Sequence, residues 1–293
     1  MHRSGFVNIV GNPNVGKSTL MNALVGERIS IVTSKAQTTR HRILGIVNGD
    51  DFQIVYSDTP GVIKPNYRLQ ESMLGFSRSA LTDADVLLYV TDVFDSHEKN
   101  ADFTEKANLN PAPLILIINK IDLIDEQKLL ALVDKWKQLL PRAEIYPVSA
   151  LLKFNIDNLF KRIKELLPES PPFFDKDQLT DKPARFFVTE IVREKILTNY
   201  DKEIPYSTEV VVENFKEEKK IIRIEAVIFV ERDSQKGIII GKGGKLLKKV
   251  GVEARKDLEV FFEKQIFLEL YVKVERDWRN KDFYLRNFGY KLE

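Results

Sequence analysis

The segment with the most definite chemistry is Gly11-Asn-Pro-Asn-Val-Gly16-Lys17-Ser18. It fits the spacing G-x-x-x-x-G-K-[ST], in which glycines let successive backbone N–H groups turn inward around a phosphate. Asn12, Pro13, Asn14, Val15 and Gly16 would form the cradle, with Thr19 one residue beyond its Lys-Ser end. Lys17 would reach the β- and γ-oxygens of a nucleotide, and the Ser18 hydroxyl would ligate Mg²⁺. An apolar run over residues 6–10 precedes the loop and a helix-like run over 17–25 follows it. The helix N-terminus then adds its partial positive charge to the phosphate site.

Three further segments gain meaning from their positions. Asp58-Thr-Pro-Gly61 lies about forty residues downstream, at the end of another strand-like run. Asp58 could hold Mg²⁺ through water there, and the Gly61 amide could sense a γ-phosphate. Alone, D-x-x-G is uninformative, since about one copy per 300 residues arises by chance. Asn119-Lys120-Ile121-Asp122 follows Leu-Ile-Leu-Ile-Ile. The Asp122 carboxylate can accept from both N1–H and the exocyclic amine of guanine, a donor pair that adenine lacks. Ser149-Ala150-Leu151 ends a sixth strand-like run and is placed to offer a backbone N–H to guanine O6.

In this order the four elements resemble the nucleotide motifs of the translation-factor class of P-loop GTPases. The resemblance implies binding of GTP and GDP with Mg²⁺, and hydrolysis of GTP. Residues 30–41 are polar and without periodicity. A loop threonine that ligates Mg²⁺ only when the γ-phosphate is present is how such proteins sense GTP; Thr39 is the first choice here and Thr38 the alternative. One departure stands out. Ras-like GTPases place a water-orienting glutamine after the D-x-x-G glycine, and this chain has Val62. Slow intrinsic hydrolysis is expected, with help from a partner or from a monovalent cation. Asn14 resembles the asparagine that helps hold K⁺ in potassium-activated members.

Six strand-like runs (6–10, 42–47, 52–56, 85–93, 113–119 and 144–148) must carry these motifs. Asn48-Gly49-Asp50 between the second and third is a hairpin signal. Helical spacing recurs over 17–25, 69–81, 127–140 and 157–167. The alternation predicts an α/β domain over 1–170 with a mostly parallel six-stranded sheet and helices on both faces. Four prolines between Pro168 and Pro183 break the pattern, so residues 171–183 read as a linker.

A second domain follows over 184–293. It reads as a helix (184–199), two strands (208–214 and 221–231), a Gly/Lys turn between two helices, a strand (266–275) and a helical aromatic-rich end (278–290). The turn is Ile239-Ile240-Gly241-Lys242-Gly243-Gly244, followed by Lys245 and Lys248. Residues 236–256 hold seven basic side chains against one acid, Glu253. A G-x-x-G turn lets a sugar–phosphate backbone approach main-chain N–H groups while lysines neutralise phosphates. Ile239, Ile240 and Ile228 would wall an apolar groove for splayed bases. Order and basicity predict an α+β type II KH domain that binds single-stranded RNA. The rival reading is a KH-like module that docks proteins.

The bulk composition is that of a soluble two-domain protein: 293 residues, 43% hydrophobic, 30% charged and net charge +2. No apolar run reaches the ~18 residues of a membrane span. With no cysteine, disulfides and thiolate metal sites are excluded, and His2, His41 and His97 show no metal-ligand spacing.

Taken end to end, these motifs together with Lys-Ala-Gln-Thr-Thr-Arg-His-Arg and Glu-Ile-Pro-Tyr-Ser resemble the Era family of bacterial GTPases. The resemblance implies binding near the 3′ end of 16S rRNA and a role in 30S ribosomal subunit maturation. It also implies a monomeric, cytoplasmic protein with loose peripheral contact to the inner membrane. Nucleotide state would be coupled to the KH domain through the switch loops.

Overall fold

Near-continuous apolar runs form strands buried on both faces, and the first half of the chain builds a sheet of six strands around such runs. In the computed structural model, which describes residues 1–94 and 101–291, these are β1 (Arg3–Gly11), β2 (Ile43–Asn48), β3 (Phe52–Asp58), β4 (Val86–Asp92), β5 (Leu114–Asn119) and β6 (Glu144–Pro147). Their order is β2-β3-β1-β4-β5-β6. Only β2 runs antiparallel to its neighbour, joined to β3 by the turn that Asn48-Gly49-Asp50 signals. The helices are α1 (Lys17–Val25), α2 (Arg68–Thr82), α3 (Ala101–Leu109), α4 (Glu126–Leu139) and α5 (Ile156–Leu166). The helical spacing foretold all but α3. His97 lies outside the described residues.

Register places the motifs together. Ile9 pairs with Asp58 across β1 and β3, and Asp92 pairs with Asn119 across β4 and β5. Parallel strands end at one edge, so Gly11, Asp58, Asp92 and Asn119 meet at the carboxyl rim, where open α/β sheets bind ligands.

Residues 171–181 do not hang free. Ile46 N–H donates to the Leu179 carbonyl at 2.8 Å, Leu44 N–H donates to the Asp181 carboxylate at 3.0 Å, and Gly45 bridges to Thr180. The buried Gln53 side chain accepts from the N–H groups of Phe173 and Phe174 and donates to the Phe174 carbonyl. The segment therefore lies along the open side of β2. The first compact unit comprises Met1–Asn66 and Gln70–Asp181, and Lys182 opens the main run of the second, to which Tyr67–Leu69 also belong.

The second unit opens with α6 (Ala184–Asn199), then β7 (Glu209–Glu217), β8 (Ile221–Val230), α7 (Asp233–Ile240), α8 (Lys245–Phe262), β9 (Gln265–Val274) and α9 (Asp282–Asn287). The sheet runs β7-β8-β9, with β7 antiparallel and β9 parallel to β8. This is the type II KH arrangement. Val188, Val192 and Ile196 of α6, Val250, Ala254 and Leu258 of α8 and the inward side of the sheet form its core. Fully buried Arg193 is paired with Glu190 through two hydrogen bonds of 2.7 and 2.8 Å. At the end of the chain, Tyr290 donates to Glu209 at 2.6 Å.

Candidate nucleotide and RNA sites

The phosphate loop turns because three of its residues hold left-handed or otherwise glycine-favouring backbone. Gly11 has φ 147°, Asn14 φ 64° and Gly16 φ 94°. A Cβ on Gly11 would sit 2.1 Å from the Val90 carbonyl oxygen, and one on Gly16 would sit 2.2 Å from Asn119 Nδ2. Both glycines are thus demanded by packing as well as by conformation. Gly61 is demanded by packing alone: its Cβ would fall 2.7 Å from Pro13 backbone atoms. The end of β3 therefore rests against the loop, and Val62 N–H donates to the Gly11 carbonyl at 3.2 Å.

Beside the loop is a cavity of about 390 Å³. Asn14, Gly16, Lys17, Ser18, Thr19, Thr38, Thr39, Gly61 and Lys120 line it, with Thr33, Ser34 and Gln37 of the segment before β2. Lys17 is buried, and its ammonium donates to the carbonyls of Gly11 (3.1 Å) and Asn12 (2.7 Å). The Ser18 hydroxyl donates to Asp58 Oδ2 at 2.6 Å and meets Thr39 Oγ1 at 2.8 Å; Thr39 reaches the same carboxylate at 3.3 Å. Asp58 Oδ1 is buried without a hydrogen bond. Burial pushes the Asp58 carboxyl up, opposed by the Ser18 hydrogen bond and the Lys17 charge. Two hydroxyls beside a buried carboxylate are a hard-oxygen donor set that suits Mg²⁺, and a divalent cation would offset the burial of this charge. Thr38 is turned elsewhere: its hydroxyl donates to the Lys35 carbonyl and meets Thr33 Oγ1, both at 2.6 Å.

On the base side, Asn119 works as an internal brace. Its Nδ2 donates to the Val15 carbonyl at 2.9 Å and its Oδ1 accepts from Ala150 N–H at 3.0 Å, tying phosphate loop, β5 and the loop after β6 together. Lys120, at φ 62°, donates to the Asn14 carbonyl at 2.6 Å and to Asp92 Oδ2 at 2.5 Å. Asp92 had no motif to announce it; only its place at the end of β4 could have done so. Asp122 is exposed on a single 3-10 turn, while Ser149 and Ala150 are buried and Leu151 is exposed. All the sequence-predicted nucleotide residues thus lie around one rim.

In the KH domain, Gly241, Gly243 and Gly244 have φ of 70°, 60° and 75°. Nothing lies within 4 Å of a Cβ placed on Gly243 or Gly244. The turn leads directly into α8, whose first N–H groups have no side-chain cap. Lys242, Lys245 and Lys248 are exposed around it. Ile239 and Ile228 do not wall a groove: both are fully buried, and the Ile239 carbonyl accepts from Tyr200. Ile240 is partly buried against the same core. Their apolar character reflects core packing. A groove of about 500 Å³ lies instead between α8 and β9, lined by Leu247, Lys248, Gly251, Val252, Arg255, Phe267, Leu268 and Leu270 and beginning at Gly244. Its walls come from a helix and a strand with different periodicities, so sequence alone did not group them.

Comparison with known proteins finds a family match in each half of the chain. Residues 6–120 match the family described as 50S ribosome-binding GTPase, and residues 203–279 match the KH domain. The chain is 42% identical over 291 residues to GTPase Era of Staphylococcus epidermidis, covering 99% of this chain and 97% of the relative. It is 43% identical to GTPase Era of Staphylococcus haemolyticus over the same shares. Among solved structures, it resembles Era in complex with MgGDPNP and nucleotides 1506–1542 of 16S ribosomal RNA, with TM-score 0.95, 40% identity and full coverage of both chains. It also resembles a point variant of Aquifex aeolicus Era bound to GDP and AlF4⁻, with TM-score 0.94, 40% identity and coverage of 99% and 100%.

Proposed function

Because this chain belongs to the Era family of GTPases, we propose that it couples its GTP site to binding of the 3′-end region of 16S rRNA and so assists maturation of the 30S subunit. GTP is the substrate, and water cleaves it to GDP and phosphate. The observation that carries the nucleotide reading is the meeting of Thr39, from the segment before β2, with Ser18 and Asp58 at one cavity.

In this reading the backbone from Asn12 to Gly16 cradles the phosphates, and Lys17 exchanges its two carbonyl partners for β- and γ-oxygens. Ser18 and Thr39 would hold Mg²⁺ directly and Asp58 through water; the cation supplies charge neutralisation at the β- and γ-phosphates. Thr39, not Thr38, is the sensor, and Gly61 N–H reports the γ-phosphate from the other side. Asp122 and Ala150 N–H read guanine, with Asn119 and Lys120 holding that pocket's shape. Asn14 contributes to a K⁺ site, which predicts faster hydrolysis in K⁺ than in Na⁺ buffer; equal rates would remove that role.

RNA backbone would lie over Gly241–Gly244 with Lys242, Lys245 and Lys248 on its phosphates. Bases would enter the groove between α8 and β9. The protein acts as a monomer in the cytoplasm with peripheral inner-membrane contact. No helix among the described residues is long and apolar enough to cross a membrane.

The deciding experiment is binding of a short RNA copying the 16S 3′ end, with a GTP analogue and with GDP. Tighter binding with the analogue supports target and coupling together. Equal binding in both states removes the coupling, and no binding in either redirects the KH domain to protein partners.

A further inference from the structure

Val62 holds the position from which a polar side chain would orient the attacking water, and it is buried among Val10, Leu87, Leu116 and neighbouring core residues. Its side chain offers no hydrogen bond, and among the described residues just after Gly61 none lines the nucleotide cavity. Water must be oriented from another wall. The polar side chains facing that cavity from the segment before β2 are Thr33, Ser34, Gln37, Thr38 and Thr39.

We propose that Gln37 orients the attacking water for GTP hydrolysis, acting from this switch segment in place of the residue after Gly61. Three observations converge on it. Gln37 lines the cavity. It is held at φ 57°, a left-handed conformation that disfavours non-glycine residues, and such strain concentrates at functional sites. It precedes Thr39 by two residues, so fixing Thr39 at the γ-phosphate also fixes the Gln37 backbone. A carboxamide carries both an acceptor and donors: its oxygen takes a hydrogen bond from water while its NH₂ can donate to a phosphate oxygen. In the reaction the water oxygen bonds to the γ-phosphorus, and the bond from that phosphorus to the β–γ bridging oxygen breaks. GDP leaves with the electron pair, the proton of water goes to the released phosphate, and Gln37 remains neutral throughout.

The inference rests on GTP lying with its γ-phosphate near Lys17, Thr39 and Gly61, which binding of a GTP analogue to the wild-type chain and its loss in Lys17→Ala test separately. Two variants address Gln37 itself. Gln37→Gly removes the side chain and accepts φ 57° without strain; Gln37→Asn keeps a carboxamide and tolerates that conformation. Both should bind the non-hydrolysable analogue within about twofold of wild type. Gln37→Gly should lose about tenfold or more in kcat with KM held, and its affinity for GDP with aluminium fluoride should fall in parallel. Gln37→Asn should recover part of the rate. Wild-type kcat in Gln37→Gly overturns the proposal. A fall in analogue affinity that matches the fall in rate overturns it too, by making Gln37 a shaper of the loop.

Discussion

The glycines of the two sites answer to different neighbours. In the nucleotide site, a Cβ on Gly11, Gly16 or Gly61 would strike the protein's own atoms at 2.1–2.7 Å. In the KH turn, a Cβ on Gly241 would meet the Leu246 side chain at 2.7 Å, but one on Gly243 or Gly244, the two that follow, would meet nothing within 4 Å. The first set is required by the interior itself: phosphate loop, β3 end and β5 end are packed on one another. The second set is required by backbone conformation and leaves space in which a ligand can approach. One site is closed around its own main chain, and the other is an open ledge.

Variants can break this contrast at either end. Gly16→Ala should have the largest effect. It drives a methyl into Asn119 and should cost about 4 kcal/mol, roughly a thousandfold in nucleotide affinity by fluorescent-analogue titration. RNA binding measured without nucleotide should be untouched. Next, Asp122→Asn removes a charged acceptor from an exposed turn. GTP affinity should fall by about 3 kcal/mol, roughly 150-fold, with preference moving toward xanthine nucleotides; retained guanine preference would refute the role of Asp122. On the open ledge, Lys242→Glu should weaken RNA binding about tenfold and reduce the salt slope by about one phosphate contact, with GTP turnover unchanged. The smallest effect belongs to Gly244→Ala. With no clash, only the φ of 75° is penalised, and about 1 kcal/mol or ~3 °C in melting temperature is expected. A larger loss there would show that the turn is packed after all.

The same contrast explains what could be read in advance. Phosphate-loop chemistry is local, so the run from Gly11 to Ser18 declares itself unaided, and long apolar runs betray β1, β4 and β5. The sequence ranks Thr39 before Thr38 without a packing reason, and the Thr38 hydroxyl's bond to the Lys35 carbonyl is a contact no local pattern announces. Asp92 and the α8–β9 groove are products of register and helix packing and have no local signature. Ile239 misled because an apolar residue beside a G-x-x-G turn looks the same whether it faces a groove or the core.

Residues 178–181 occupy the outer edge of β2, the strand of the six-stranded sheet that would otherwise present unpaired N–H and C=O groups at that side. A bare strand edge is a template for other chains. The segment after α5 therefore doubles as a guard against self-association. For anyone cutting the chain to isolate its first half, the safe terminus lies beyond Asp181: a fragment ending at 170 would keep every nucleotide motif and lose the cover that keeps it apart from its own copies.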